Sequence, residues 1–103
     1  MNIKNYDGIE VLEEKFGPMT VGLFLRALRE ADEISQDKFS KKLKISKANL
    51  CDIEKLRKLV SPERAAKFAK ILKVPETTLV QLAIQDLLRQ AKLPYEVSLK
   101  KVS

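Results

Sequence analysis

The sequence predicts an all-α fold, in which an extra N-terminal helix precedes a bundle of five helices and a short C-terminal β-strand for dimerisation follows it. The chain has 103 residues, of which 45% are hydrophobic, so it suits one domain with a buried core. Apolar residues recur at helical spacing, and residues that favour helix starts precede them. We therefore predict an extension helix over residues 1–18, a helical domain over 19–92 and the dimerisation strand over 93–103.

The extension helix is expected from about Asp7 to Phe16. Ile9, Leu12 and Phe16 lie at i, i+3 and i+7, so they share one face of a helix. Gly17-Pro18 then supplies a stop.

Three of the five bundle helices have clear start signals. Thr20 is the expected N-cap of a helix that extends to about Ala31. Ser61-Pro62-Glu63 combines a cap, a proline at the first helical position and an acid in the first turn. Pro75-Glu76 begins the longest helix, which continues to about Ala91.

Two short helices lie between these, at about Gln36–Leu43 and Ser46–Lys55, each with a serine at its start. Only Lys44-Ile45 separates them, which predicts a helix-turn-helix motif over about residues 36–55. The second helix is too short to be stable alone and too polar to be a core helix. It suits a DNA major groove, which is about 12 Å wide and admits one helix. Its outward residues are Lys47, Ala48, Asn49 and Asp52.

The positive charge of the chain is concentrated at this motif. The net charge is +6, but residues 1–34 carry four bases and seven acids, whereas residues 35–60 carry eight bases and three acids. A dense basic block beside an acidic segment is typical of nucleic-acid binding, although a solvated lysine-rich face fits the charge alone equally well.

The composition excludes several classes of function. The chain has no His and one Cys, so His-based catalysis, structural zinc sites and internal disulfides are not available. No apolar segment reaches the roughly 18–20 residues of a membrane span. We therefore expect a cytoplasmic protein that is not an enzyme, has no metal or cofactor and does not associate with membranes.

The segments SQDKFSKKLKISKANLCDIEK and SPERAAKFAKILKVPETTL resemble the XRE family of helix-turn-helix transcriptional regulators, which have the lambda-repressor-like DNA-binding domain. The similarity covers roughly Met19 to Leu82 and includes LRALRE before the motif. It implies that residues 19–92 are a helix-turn-helix DNA-binding domain, that double-stranded DNA is the partner, and that the second motif helix is the recognition helix.

The resemblance also implies roles for individual residues. Gln36 would donate a hydrogen bond to a phosphate near the positive end of its helix. Lys47 and Ala48 would contact bases, with Ser46 and Asn49 beside them.

Asp52 lies one turn further along the recognition helix. We favour a role for it in orienting Lys47 or Lys55 over a contact with cytosine, because DNA phosphates repel an unpaired carboxylate. Lys55, Arg57 and Lys58 follow and would contact the DNA backbone.

Two further pairs of positions matter for structure. Arg29 and Glu54 occupy positions at which the family has an ion pair that orients the recognition helix. Lys44 and Leu56 replace two glycines of the family pattern. A left-handed conformation at Lys44 costs on the order of 1 kcal/mol. With leucine at position 56, we expect the loop after the recognition helix to be tighter or to continue helically.

The C-terminal segment has a different pattern from the rest of the chain. Tyr95, Val97 and Leu99 alternate with polar residues after Pro94, which predicts a strand. A lone strand needs a partner, and the same strand of a second copy would give a two-fold homodimer. A frayed tail is the alternative interpretation.

These features support two functions. The first is a dimeric, sequence-specific transcriptional repressor that binds a pseudo-palindromic operator. The second is the antitoxin of a type II toxin–antitoxin pair, which would bind DNA through the same motif and a toxin protein through the acidic, amphipathic segment around Tyr6–Phe16. An enzyme is disfavoured because no catalytic or metal-binding constellation is present.

Overall fold

Residues 18–102, the part of the chain that the computed structural model describes, contain five α-helices and no β-strand. The predicted all-α, five-helix fold is therefore confirmed. The predicted N-terminal helix, at about residues 7–16, lies outside the described residues. The helices are α1 (Val21–Ala31), α2 (Gln36–Leu43), α3 (Lys47–Glu54), α4 (Pro62–Leu72) and α5 (Glu76–Gln90).

Side-chain hydroxyls cap the N-termini of four helices. Thr20 Oγ1 accepts a hydrogen bond from the backbone N–H of Leu23 at 3.0 Å. Ser35, Ser46 and Ser61 accept in the same way from the N–H three residues later. Each cap contributes about 1 kcal/mol to stability, so these residues define where the helices begin.

The core forms where α3 packs against α1 and α2, and where α4 packs against α5. Phe24 and Leu25 of α1, Phe39 of α2, and Leu50 and Ile53 of α3 are almost completely buried. Burial of one such side chain stabilises the fold by about 1.5–3 kcal/mol. Tertiary packing therefore holds α3 in place, although eight residues are too few for a stable isolated helix.

The helices α1 and α3 approach each other closely at Gly22. A Cβ atom at this position would overlap the carbonyl oxygen of Ile53 and contact Leu56. Only glycine allows α1 to lie this close to the end of α3.

The two positions that lack the family glycines both have positive φ angles. Lys44, after α2, has φ 62°, and Leu56, after α3, also has φ 62°. At the first position, the N–H of Ile45 donates to Ser40 O at 3.0 Å, which closes the turn of the motif. The chain therefore keeps both left-handed turns without glycine.

The predicted C-terminal strand is not formed: residues 93–102 include no strand. The segment instead packs along α5, where side chains satisfy its backbone groups. Gln85 Nε2 donates to Tyr95 O at 2.7 Å, Val97 N–H donates to Gln85 Oε1 at 2.8 Å, and Leu99 N–H donates to Gln81 Oε1 at 3.3 Å. The backbone of the tail is therefore hydrogen-bonded to side chains of a helix and not to another strand. The alternation of apolar and polar residues in the tail does not indicate such a partner.

Candidate nucleic-acid interface

The α2–turn–α3 unit has helix-turn-helix geometry. Residues 44–46 connect the two helices, and Leu50 and Ile53 fasten the inner side of α3 to the core. The opposite side of α3 contributes nothing to the core. Its first turn is therefore free to contact another molecule.

The predicted base-contacting residues lie at the start of α3. Ser46, Lys47 and Ala48 are exposed. The Ser46 hydroxyl also accepts a hydrogen bond from the N–H of Asn49 at 3.0 Å. Asn49 is half-buried, and its side-chain oxygen is buried without a hydrogen-bond partner, so it needs a side-chain rotation to contact a base.

Asp52 pairs with neither Lys47 nor Lys55. Its carboxylate lies 3.8 Å from Arg57 Nη1, and its backbone carbonyl accepts from the N–H of Arg57 at 2.8 Å. The expected orienting role therefore concerns Arg57, and Asp52 connects α3 to the loop that follows it. Both side chains are substantially exposed, so the ion pair itself stabilises little.

Lys55, Arg57 and Lys58, the predicted backbone-contacting residues, are all exposed in the loop after α3. The left-handed conformation of Leu56 turns the chain at this point. The loop therefore brings three cations to the C-terminal end of α3.

Gln36 lies at the start of α2 and is half-buried. Its Nε2 donates to Glu54 Oε1 at 3.1 Å, a partner that the sequence did not indicate. The side-chain amide carries two N–H groups, so one remains for a phosphate while the other binds Glu54. Gln36 therefore connects α2 to the end of α3.

Arg29 and Glu54 form the central ion pair of this region. Arg29 Nε and Nη2 donate to the two carboxylate oxygens of Glu54, each at 2.9 Å, and Arg29 Nη1 donates to Ile34 O at 3.1 Å. The hydrogen bonds that Arg29 donates to Glu54 favour the charged guanidinium and raise the pKa of Arg29 above its ordinary value. One arginine therefore ties α1, the chain before α2 and the end of α3 together.

Most of the basic side chains in residues 35–60 are available to a partner. Lys41 pairs with Asp37 at 3.2 Å and Arg57 pairs with Asp52. Six others have no ion pair within residues 18–102, so the positive field of the motif is not neutralised locally. These six are Lys38, Lys42, Lys44, Lys47, Lys55 and Lys58.

Asp86 was not predicted from the sequence as a structural residue, but it connects α5 to α1, one of the helices that hold α3 in place. Its Oδ2 accepts from the N–H of Val21 at 3.0 Å, so α5 caps the start of α1. The signal was present in the sequence, because Asp86 lies in helical register with the buried Leu79 and Ala83. An acid in an apolar stripe indicates a buried carboxylate with a specific partner.

Within residues 18–102, no group of three or more His, Cys, Asp or Glu side chains is arranged to hold a metal ion. None of the helices in the same residues is long and apolar enough to cross a membrane.

A family model described as a helix-turn-helix domain matches residues 20–82, which include α1 to α4 and the start of α5. No curated protein and no solved structure matches the chain. The match coincides with the segment whose residues resemble helix-turn-helix regulators, and it confirms that resemblance.

Proposed function

The chain belongs to the helix-turn-helix domain family, and from this premise we propose that it is a cytoplasmic transcriptional regulator that binds double-stranded DNA sequence-specifically, as a dimeric repressor of a pseudo-palindromic operator. It acts by binding alone and catalyses no reaction.

The observation that carries this proposal is the exposed first turn of α3. Lys47 and Ala48 project from a helix whose opposite side is buried and whose end is fixed by the Arg29–Glu54 ion pair. A rigidly held helix with a free N-terminal turn suits the major groove, where the first residues of a recognition helix contact base edges.

The chemistry of these side chains suggests their contacts. The Lys47 ammonium donates to guanine O6 and N7, and the Ala48 methyl packs against a thymine methyl. Lys55 and Lys58 bind phosphates on one side of the groove, and the second N–H of the Gln36 amide binds a phosphate on the other. Ser46 fixes the start of the helix as its N-cap.

A homodimer fits this mode of binding. A two-fold axis places two recognition helices about 34 Å apart, one turn of DNA, on the two halves of the operator. Tyr95, Val97 and Leu99 lie in the segment that we assign to the dimer contact.

The direct test is selection of bound duplexes from a random pool by the full chain. We expect enrichment of an inverted repeat with half-sites about 10 base pairs apart. Enrichment of a single half-site supports a monomeric DNA-binding protein, and no enrichment overturns the proposal.

An antitoxin is the second candidate, favoured by the acidic, apolar sequence around Tyr6–Phe16. Its distinguishing property is a toxin partner. Co-expression with the product of a small adjacent gene tests it, because an antitoxin co-purifies with that product and prevents its growth arrest, whereas a simple repressor does neither.

A further inference from the structure

The C-terminal tail is held along α5 through one of its two backbone edges. The N–H groups of Val97 and Leu99 donate to Gln85 and Gln81, which are four residues apart on α5. The Gln85 amide also donates to Tyr95 O, so it occupies the place of a peptide unit in a neighbouring strand.

The order of these bonds shows that the tail is antiparallel to α5, and their spacing indicates that it is extended. Four residues of an α-helix rise about 6 Å, and two residues of an extended chain span about 6.6 Å. Because these lengths match, Gln85 and Gln81 can accept hydrogen bonds from Val97 and Leu99, which are two residues apart. In an extended chain, the N–H and C=O groups of successive residues point to opposite edges, so every second residue shares an edge.

The backbone groups of Glu96, Ser98 and Lys100 therefore lie on the other edge. Within residues 18–102 the backbone N–H groups of these three residues donate to no acceptor, and Glu96 and Lys100 form no ion pair. This free edge is a template for one more strand.

We propose that this edge pairs antiparallel with the same edge of a second copy, in the register that places Ser98 opposite Ser98 of the second copy. The proposal rests on the homodimer of the proposed function and assigns its contact. Each Glu96 then lies opposite a Lys100, and each Val97 lies opposite a Leu99. The Glu96–Lys100 pairs and the central serine pair all exchange backbone hydrogen bonds, because these residues share the free edge.

Charge favours this register, because among the antiparallel pairings of this edge it alone places each Glu96 opposite a Lys100. Pairing about Glu96 would place two glutamates opposite each other and would oppose Ser98 to Pro94, which has no N–H. Pairing about Lys100 would place two lysines opposite each other. Like charges directly opposite destabilise a strand pair, and opposite charges stabilise it.

The glutamines limit the assembly to two chains. A strand with two free edges can recruit partners on both sides and form an open-ended sheet. Here Gln81 and Gln85 occupy one edge, so pairing at the other closes a two-fold dimer.

Charge reversal in the full chain tests the register. Glu96→Lys or Lys100→Glu turns two attractive pairs into two repulsive ones, so each should raise the dimer dissociation constant about 10-fold in sedimentation equilibrium. The double variant E96K/K100E restores opposite charges and should return the constant to near the wild-type value. Lys67→Glu, at an exposed position of α4, is the control and should have no effect.

Cross-linking gives an independent test in a Cys51→Ser background. The proposed register places the two Ser98 Cα atoms about 5.5 Å apart, within disulfide range, so Ser98→Cys should form a covalent dimer on mild oxidation. Val97→Cys, which lies opposite Leu99, should cross-link much more slowly.

The outcomes separate this inference from the proposed function. A monomeric wild-type chain, a double variant that stays weak, or equal cross-linking at positions 97 and 98 overturns the strand register. A dimer that survives these changes uses another surface. A monomeric wild-type chain also contradicts the dimer of the proposed function. None of these results bears on DNA binding, which the selection experiment tests by itself.

Discussion

Arg29 and Glu54 are joined by two N–H···O hydrogen bonds of 2.9 Å that link α1 to the last residue of α3. The Glu54 side chain is only 3% exposed and that of Arg29 is 15% exposed. Because Gln36 binds the same carboxylate, one acid connects three helices. The orientation of the proposed recognition helix therefore depends on a residue that does not itself face the DNA.

Removal of one partner of this ion pair should destabilise the protein strongly. Arg29→Ala leaves the buried Glu54 carboxylate without its main donor, and such a loss typically costs about 3–5 kcal/mol. Urea unfolding measures the change. Arg26→Ala is the matched control, because the Arg26–Glu30 pair is about half exposed and should contribute less than about 1 kcal/mol. Equal effects of the two substitutions would contradict a structural role for Arg29.

Asp86 should make stability depend on pH. Burial raises its pKa above the ordinary 3.8, an effect that exceeds the opposing influence of the Val21 N–H and Arg89. The folded state therefore favours the protonated carboxyl. The resulting stabilisation is full below pH 3.8 and is lost as pH rises through the raised pKa.

The comparison of Asp86→Asn with the wild type isolates this effect. The asparagine is always neutral and can still accept from Val21, so its stability relative to the wild type should be greatest at neutral pH and should decrease towards pH 3.8 in urea unfolding. Asp86→Ala instead leaves a buried N–H without its side-chain acceptor and should cost about 1–3 kcal/mol. A constant difference between D86N and wild type would contradict the raised pKa.

Gly22→Ala should be strongly destabilising, although alanine normally favours helices. Its Cβ would overlap the Ile53 carbonyl, so α1 and α3 must separate. Overpacking of this kind typically costs about 1–3 kcal/mol. Ala31→Gly, at the exposed last residue of α1, provides the comparison for helix propensity without a core contact, at no more than about 1 kcal/mol. Thermal unfolding of the two variants separates close packing from propensity.

The sequence predicted α2 and α3 well because each has a local signal. Ser35 and Ser46 cap the helices, and the apolar residues of each helix lie on one side. The tail was predicted less well, because a strand pattern at Tyr95–Leu99 indicates an extended backbone but not its partner. The glutamines that bond it lie 10 to 18 positions earlier and leave no periodic trace.

The hydrogen-bond and ion-pair partners of individual polar residues could also not be predicted from the sequence. Asp52 was expected to orient a lysine on its own helix, but it bonds Arg57 in the following loop. The positive φ angle of Leu56 turns the chain between Asp52 and Arg57. A leucine rarely adopts this conformation, so the local sequence does not indicate it.

Gln85→Ala should release the tail without unfolding the bundle. It removes the acceptor of the Val97 N–H and the donor to Tyr95 O. Hydrogen exchange should therefore become faster at Val97 while the amides of α2 and α3 keep their protection. Gln90→Ala, at the exposed end of α5, is the control. Unchanged exchange at Val97 would contradict the glutamine contact.

Lys47→Ala and Lys58→Ala should weaken DNA binding in different ways. Loss of a base contact at Lys47 should cost about 1–3 kcal/mol on the selected operator and relax the base preference at one position of each half-site, with little effect on random DNA. Loss of a phosphate contact at Lys58 should weaken binding to both DNAs equally and should make the slope of log affinity against log salt shallower by about 0.9 per contact. Lys67→Ala, on α4, should change neither property. Titration of operator and random duplexes at several salt concentrations measures both effects, and an equal loss on both duplexes for Lys47→Ala would make that lysine a phosphate contact.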